Sequence, residues 1–228
     1  MIEISDQIIA DEKAKSWGKE LAGQIENELL IESQILVEKG IIGFFLDSIR
    51  HFVIVCKCQQ NPQMVTAMQE EPWLTQMLNM WIVSQQPGEY NPIHVHTQCL
   101  ISTVMYLKVP KILPSRKDHL GHQSLDGAIT FTSNVARDIN LTSHSMQLQP
   151  QVGDFYIFGA HQLHSVYPYR CEEGQEDVER RSISFNAIFQ SKSEYDKEYD
   201  KEKTTSFSQE VVTPENSSNE EEWAPVTI

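Results

Sequence analysis

The sequence predicts an α+β fold in which a helical first third is followed by a β-sandwich or jelly roll. Apolar residues recur at helical spacing through most of the first eighty residues. From Met80 onward the chain changes to short runs of β-type residues separated by proline and glycine, which is typical of a sandwich or jelly roll and not of βαβ units. A chain of 228 residues is long enough to bury one sizeable core and to carry appendages.

Residues 1–79 are predicted to form a helical support layer. The first helix covers about Ser5–Leu29, with Ser5 as the N-cap candidate, and the second covers about Glu38–Cys58. Pro62 ends the second helix, because proline disfavours a helical conformation in the residue before it. A third helix is predicted near Met64–Met80. The apolar faces of these helices are expected to pack on a sheet.

Residues 80–190 are predicted to form the jelly-roll core. The β-type runs are Met80–Gln85, Ile101–Val109, Ala128–Thr132, Ser145–Gln149, Asp154–Phe158, Ser165–Tyr169 and Arg181–Phe189. Residues 191–228 contain, near their start, two consecutive copies of the tetrapeptide Glu-Tyr-Asp-Lys, and the residues after them are mostly acidic or polar. Such a segment buries too little apolar surface to offset the entropy of ordering, so it is expected to be a flexible tail with a short helix at its start.

The net charge and the N-terminal sequence indicate which binding partners and which cellular compartment to expect. The formal net charge is −14, which disfavours nonspecific binding to nucleic acid or to an anionic membrane surface. No apolar run approaches the roughly 20 residues that a membrane-spanning helix needs, and the N-terminus shows no secretory signal. We therefore expect a cytoplasmic protein with reduced cysteines and no membrane or nucleic-acid partner, while a homodimer through an edge strand stays open.

Three histidines form a candidate metal site. His94 and His96 lie one residue apart at a predicted strand, so their side chains point the same way, and His164 follows a second strand. Imidazole suits iron, copper, nickel and zinc, so the donors alone do not select the metal. The competing interpretation places both residues of the HxH motif on a surface loop without a metal. His161 is a weaker candidate ligand, and Asp154 is expected to cap a turn.

The last predicted strand carries a second candidate site. Arg180 and Ser182 share one face with Ser184 and Asn186, while the residues between them are mostly apolar. This polar face meets solvent in a half-exposed sheet, but it lines the interior if helices cover the other face. An interior arginine needs an anion, and its planar guanidinium matches a carboxylate through two hydrogen bonds, which Ser182 can supplement. A dicarboxylate would fit such a site.

An ordered series of motifs makes the chain resemble a known family. The motifs are NPIHVH, SxVxYLKVP, GDFYIFGAHQLHSVYPY and RRSISFN. Together they resemble the 2-oxoglutarate–Fe(II) oxygenases found in bacteria and tailed phages, which look like prolyl hydroxylases. The resemblance covers roughly Met80 to Phe189. It implies a double-stranded β-helix, which is a form of jelly roll, supported by the N-terminal helices.

The resemblance implies that the metal is Fe(II). His94 matches the first metal ligand of the family, and His96 occupies the position of the carboxylate in members with an HxD motif. His164 matches the distal ligand. Three neutral ligands leave Fe(II) with a higher site charge than two histidines and a carboxylate do, and such a set also resembles catalytic zinc sites.

The resemblance also implies a binding site for 2-oxoglutarate. Arg180 matches the arginine that holds the far carboxylate of this cosubstrate, with Ser182 as its partner. The neighbouring Arg181 is the alternative, but strand alternation places Arg180 on the face of Ser182 and so favours it. Tyr106 and Asn91 are further candidate contacts to the cosubstrate or the substrate.

The implied function is an oxygenase, and by analogy a hydroxylase, that couples 2-oxoglutarate decarboxylation to oxidation of an unknown substrate by O2. It would act in the cytoplasm, or in the host cytoplasm if the chain is phage-encoded. Two alternatives stay open. One is a cupin-like three-histidine metalloenzyme, such as a thiol dioxygenase, that does not use 2-oxoglutarate. The other is a noncatalytic jelly-roll module in which the histidines are incidental.

Overall fold

The computed structural model describes residues 1–61, 63, 66, 72–114, 124–132 and 145–202. The described residues divide into two units. The first unit consists of the described residues within Met1–Ile31, Met80–Gln98 and Ser102–Phe185. The second unit consists of the described residues within Glu32–Asn79 and Cys99–Ile101, and of those from Asn186 onward. Every histidine and arginine of the two candidate sites belongs to the first unit.

The described residues contain four α-helices and nine strands. The helices are α1 (Ile2–Ile9), α2 (Ser33–Glu38), α3 (Ile42–Gln60) and α4 (Lys192–Glu202). The strands are β1 (Asn27–Ile31), β2 (Trp73–Gln85), β3 (Asn91–His94), β4 (Ile101–Lys108), β5 (Ile129–Thr132), β6 (Ser145–Leu148), β7 (Phe155–Gly159), β8 (Leu163–Val166) and β9 (Arg180–Ser191). They form a five-stranded sheet in the order β1-β2-β9-β4-β7 and a four-stranded sheet in the order β3-β8-β5-β6.

This topology confirms the predicted α+β jelly roll. Strands that are distant in sequence lie side by side, as β9 does between β2 and β4. Each of the predicted strands overlaps a strand of the structure. Buried side chains from strands of both sheets form one hydrophobic cluster, which consists of Val104, Tyr106, Ile129, Phe131, Phe158 and Val166. The core of the jelly roll therefore lies between the two sheets.

The helix positions predicted in the first eighty residues are only partly correct. The second helix is confirmed by α3, which buries one apolar face. The first helix is wrong in extent, because α1 begins at Ile2, before the predicted cap Ser5, and ends at Ile9. The residues around Leu29 form β1, and the second half of the predicted third helix belongs to β2. The remainder of that third helix falls largely outside the described residues.

Pairing between β1 and β2 explains why these helical patterns fail. Leu29 lies opposite Ile82, and Ile31 lies opposite Met80 in an antiparallel register. This pairing satisfies the backbone groups of both strands and buries their apolar side chains. Contacts between segments about fifty residues apart thus outweigh the local spacing of the apolar residues.

The C-terminal end of the described chain is helical. Helix α4 follows β9 directly, where the backbone N–H of Lys192 donates to the Pro72 carbonyl over 2.8 Å. Ser191 lies just before the helix, and its hydroxyl and backbone N–H both contact the Glu194 carboxylate. The expected short helix is therefore present, and residues 203–228 lie outside the described chain. None of the described helices is both long and apolar enough to cross a bilayer.

Glu28 is a buried carboxyl group in β1. The residue is only 2 % exposed, and its Oε2 atom has no hydrogen-bond partner among the described residues. Burial is the main cause, and the negative charge of Glu89 the second cause, of a rise in the pKa of Glu28 to about 7. The folded protein therefore keeps this carboxyl protonated at pH values at which the unfolded chain ionises it.

The substitution Glu28→Gln is expected to stabilise the protein at alkaline pH. The pKa of Glu28 rises from 4.5 to about 7 on folding, so the stability it contributes is complete below pH 4.5 and is lost as the pH rises through 7. Glutamine cannot ionise, so above pH 8 the unfolding free energy of the variant should exceed that of the wild type by on the order of 2 kcal/mol. Urea unfolding at about pH 5 and about pH 8.5 measures this. The exposed Glu26→Gln is the control, and an equal pH-dependent gain there would contradict the prediction.

Candidate metal and cosubstrate site

Two strands of the four-stranded sheet bring three histidines together. His94 is the last residue of β3, and it lies directly opposite His164 of β8 in the antiparallel register. His96 follows two residues later, and its backbone N–H donates to the Ala160 carbonyl over 2.9 Å. Because alternate residues of an extended chain point the same way, His94 and His96 face the same side. The predicted histidine set is therefore assembled at one end of this sheet.

The three imidazoles converge on a single position. One ring nitrogen from each of His94, His96 and His164 lies within 4.8 Å of the other two. The ring centroids of His94 and His164 are 4.2 Å apart, and each of the other two pairs is separated by 5.2 Å. The Nε2 atoms of His96 and His164 are 3.4 Å apart. Such convergence is the arrangement expected of nitrogen ligands that share one metal ion.

Backbone carbonyl groups fix the orientation of two of the rings. Nδ1 of His94 donates to the Pro92 carbonyl over 2.7 Å, and Nδ1 of His164 donates to the Gln162 carbonyl over 2.9 Å. Each bond assigns the proton to Nδ1 and leaves the lone pair of Nε2 free for a metal. The side-chain amide of Gln162 also donates to the Thr132 carbonyl over 2.7 Å, which ties this turn to β5. Gln162 was not predicted from the sequence, although its place two residues before a ligand is a local signal.

The site keeps all three histidines neutral. Burial, followed by the repulsion that a protonated His164 or His94 would exert, lowers the pKa of His96 to about 3. Burial, followed by the repulsion from a protonated His94, lowers the pKa of His164 to about 4. Burial also lowers the pKa of His94. Neutral imidazole is the form that binds metals. A metal cation can therefore bind these three histidines without first removing the extra proton of an imidazolium ion.

Apolar and aromatic side chains surround the histidines. The ring centroid of Trp81 lies 6.2 Å from that of His96, and those of Phe158 and Phe131 lie 4.8 Å and 6.1 Å from that of His164. Trp81 is 3 % exposed. These rings limit access of water from the core side, which strengthens electrostatic interactions at the site. Trp81 was predicted only as part of a strand, because nothing local to it indicates the face it occupies.

The donor set fits Fe(II). Three neutral nitrogen ligands that converge on one partly buried position suit a first-row divalent metal, and zinc accepts the same ligands. No carboxylate of the described residues joins the histidine group. Asp154 caps its turn as expected, since its Oδ2 accepts from the Gln151 backbone N–H over 2.9 Å and from the Tyr156 hydroxyl over 2.8 Å. His161 is exposed and lies outside the group.

Arg180 is a buried cation that the described chain contacts only through neutral acceptors. The residue is 2 % exposed, and its guanidinium donates to the Gly127 carbonyl and to Oε1 of Gln85. It lies 5.9 Å from the ring centroid of Tyr106 and 5.3 Å from that of Tyr169. No described carboxylate forms an ion pair with it. Burial lowers the pKa of Arg180, which reflects the cost of keeping this charge without an anion.

The neighbouring Arg181 faces the other side of β9 and is fully paired. Its Nε donates to Glu179 over 2.7 Å, and Nη1 donates to the Ser5 hydroxyl over 2.9 Å and to Asp6. Ser5 and Asp6 belong to α1, so Arg181 anchors this helix to the sheet. Of the two adjacent arginines, Arg180 is thus the one that lies beside Tyr106 in the interior.

A series of aromatic rings leads from Arg180 to the histidines. The Tyr106 ring lies 6.0 Å from that of Tyr156, which in turn lies 6.5 Å from Phe131. Phe131 is the ring that lies 6.1 Å from His164. Tyr106 beside the buried cation and Phe131 beside His164 therefore belong to the same hydrophobic core between the two sheets.

The remaining predicted contacts are Ser182, Tyr106 and Asn91. Ser182 is buried on β9, and strand alternation places it on the face of Arg180. Tyr106 contacts the guanidinium, as described above. Asn91 begins β3 opposite Val166, and its Oδ1 lies beside Gly23, where an added Cβ would approach within 2.6 Å. Asn91 is thus placed against the N-terminal segment that precedes β1.

Several solved structures are similar to the chain. A Pseudomonas putida prolyl-4-hydroxylase is 14% identical over 79% of this chain and 80% of that chain, with a TM-score of 0.42. The viral collagen prolyl hydroxylase vCPH from Paramecium Bursaria Chlorella virus-1, solved as a 2OG complex, is 15% identical over 82% and 89%, with a TM-score of 0.42. The non-heme alpha ketoglutarate dependent epimerase SnoN from nogalamycin biosynthesis is 13% identical over 82% and 70%, with a TM-score of 0.43. None of the curated proteins compared with the chain matches it significantly.

A family model matches residues 79–186, the stretch that contains the histidine group and Arg180. The family is described as "Putative 2OG-Fe(II) oxygenase", where 2OG is 2-oxoglutarate. Enzymes of this family use iron, and they take 2-oxoglutarate and O2 as cosubstrates together with a further substrate. The match favours neither a metalloenzyme independent of 2-oxoglutarate nor a noncatalytic module. Residues 79–186 of this chain therefore match the model of the 2OG-Fe(II) oxygenase family, which the order of the sequence motifs predicts.

Proposed function

We propose that the protein is a hydroxylase in which His94, His96 and His164 bind Fe(II) while Arg180, with Ser182, binds the far carboxylate of 2-oxoglutarate. The observation that carries this proposal is the buried Arg180 guanidinium, which has no carboxylate partner in the described chain. An arginine in such surroundings is stabilised by a bound anion. Tyr106, which lies beside this guanidinium, shares the hydrophobic core with Phe131, whose ring lies 6.1 Å from that of His164.

The residues of the chain contribute binding, orientation and exclusion of water. The chemistry that iron supplies when bound is the reaction of O2 with 2-oxoglutarate, which yields succinate and CO2 while one oxygen atom enters a C–H bond of the substrate. The carbonyls of Pro92 and Gln162 hold two imidazoles with their Nε2 atoms free. Arg180 orients the cosubstrate through its far carboxylate, and Tyr106 contacts the guanidinium. Trp81 and Phe158 keep the core side dry.

The organisation of the rest of the chain is proposed in the same terms. Residues 80–190 act as the catalytic jelly roll, residues 1–79 support it, and residues 191–228 serve as an appendage. Support for the second role comes from α1, which Arg181 and Lys108 bind through Asp6. We also propose that the enzyme works in the reducing cytoplasm, where Fe(II) and free thiols persist, and that its acidic charge directs it away from nucleic acids and anionic membranes.

Turnover without added substrate offers a direct test of this proposal. Protein reconstituted anaerobically with Fe(II) and then exposed to O2, with ascorbate supplying the two electrons that the substrate would otherwise give, should convert 2-oxoglutarate to succinate slowly, with O2 uptake in step. The product is measured by chromatography, and Zn(II)-loaded protein is the control. Stoichiometric Fe(II) binding without binding or consumption of 2-oxoglutarate would count against the proposal. That result would instead favour a three-histidine enzyme of another class.

A further inference from the structure

Gln85 is a buried amide whose two ends are both used by the protein. It is the last residue of β2 and is 2 % exposed. Its Oε1 accepts a hydrogen bond from Nη2 of Arg180, and its Nε2 donates to the Glu89 carbonyl. The second bond fixes which end of the amide faces the guanidinium, because only the oxygen can accept from arginine. The amide is thus held in a single orientation toward Arg180.

Two further neutral groups complete a cradle around Arg180. The Tyr169 ring lies 5.3 Å from the guanidinium, and its hydroxyl accepts from the Arg180 backbone N–H over 3.0 Å while contacting the Gln85 carbonyl at 2.7 Å. Nη1 of Arg180 donates to the Gly127 carbonyl. Gly127 has φ +70, and a Cβ there would lie 2.5 Å from Cδ1 of Ile112 and 3.3 Å from Nη1, so the backbone conformation and the close packing both favour glycine.

The groups of the cradle orient the Arg180 guanidinium but do not neutralise its charge. Its acceptors are an amide oxygen, a backbone carbonyl and a tyrosine ring, so they position the guanidinium and leave its positive charge uncompensated. A carboxylate in the place of the Gln85 amide would hold the guanidinium equally well. It would also form an internal ion pair and compete with any carboxylate ligand.

We propose that Gln85 is a positioning residue that orients Arg180 through a neutral acceptor and so preserves its charge for the carboxylate of 2-oxoglutarate. This inference rests on the proposed function and extends it to a residue that the sequence motifs do not include. Gln85 does not touch the reacting atoms. It acts through Arg180, and its effect falls on the affinity for the cosubstrate.

Two substitutions separate this role from a merely structural one. Gln85→Glu keeps the shape of the side chain and adds the competing charge, so the Kd for 2-oxoglutarate should rise at least about tenfold. Gln85→Met removes the acceptor but leaves the arginine charge available, so the Kd should rise less. A structural role predicts the opposite order, because the glutamate retains the hydrogen bond to Arg180 and the methionine loses it.

The experiment is anaerobic calorimetry of 2-oxoglutarate binding to Fe(II)-loaded protein. Fe(II) binding and the thermal midpoint are measured in parallel. Fe(II) binding should be unchanged in Gln85→Glu, while the thermal midpoint reports the loss of the hydrogen bond to the Glu89 carbonyl. Gln86→Glu adds the same charge at the adjacent residue and should bind 2-oxoglutarate as the wild type does. Wild-type affinity in Gln85→Glu, or a greater loss in Gln85→Met, would overturn the inference while leaving the proposed function intact. Absence of binding to the wild type would instead overturn the proposed function.

Discussion

Replacing Arg180 with alanine is expected to weaken the binding of 2-oxoglutarate to Fe(II)-loaded protein by on the order of 100-fold or more. The guanidinium is buried and without an anion in the described chain, so a carboxylate bound there meets a desolvated charge. Alanine removes that charge and both donors of the fork. Fe(II) binding should persist, because the histidines have their own hydrogen-bond partners. Anaerobic calorimetry with and without Fe(II) measures both affinities.

Arg181→Ala is the matched control for this prediction. Arg181 is adjacent in sequence, but it pairs with Glu179 and Asp6 on the opposite face of β9. Its loss leaves a half-buried Glu179 without its main partner, so the unfolding free energy should fall by about 1–3 kcal/mol. The affinity for 2-oxoglutarate should remain within about threefold of that of the wild type. Equal losses of affinity in the two variants would show that Arg180 acts through the fold alone.

His164→Ala is expected to abolish stoichiometric binding of Fe(II) and all iron-dependent consumption of 2-oxoglutarate. His164 lies opposite His94 and within 3.4 Å of His96, so its loss removes a ligand central to the group. Two remaining neutral nitrogens bind a divalent metal far more weakly than three do. Metal content after anaerobic dialysis gives the stoichiometry directly.

His161→Ala is the control for the histidine group, since this exposed residue lies three positions from His164 and outside the group. It should bind one Fe(II) per chain as the wild type does. Loss of iron in both variants, or retention in both, would contradict the assignment of His164 as a ligand.

Much of this site was predictable because its signals are local. The spacing of His94 and His96 and the alternation along β9 depend only on an extended backbone, and the structure agrees with both. Strand parity predicts that Arg180 and Arg181 face opposite sides of β9, and in the structure the two side chains have separate partners. In contrast, β1 and the start of β2 have apolar spacing that also suits a helix, and only their mutual pairing decides.

The supporting residues could not be predicted because they act across the fold. Gln85 and Arg180 are 95 residues apart in sequence, yet their side chains share a hydrogen bond. Trp81 faces His96 because β2 presents that side of the strand to the interior. Neither residue type indicates its partner, and the register that joins them comes from the complete topology. Gln162 lies nearer to a ligand, but its role depends on a carbonyl that any residue could supply.

The crystal structure of the anaerobic complex with Fe(II) and 2-oxoglutarate is the most direct test of the proposed site. Anomalous scattering at the iron edge identifies the metal and its ligands. We expect one iron bonded to Nε2 of His94, His96 and His164, with the far carboxylate of 2-oxoglutarate on Arg180. Iron held by His94 and His164 alone, with His96 turned away, would contradict the three-histidine site. A cosubstrate carboxylate bound elsewhere than at Arg180 would contradict the second half of the proposal.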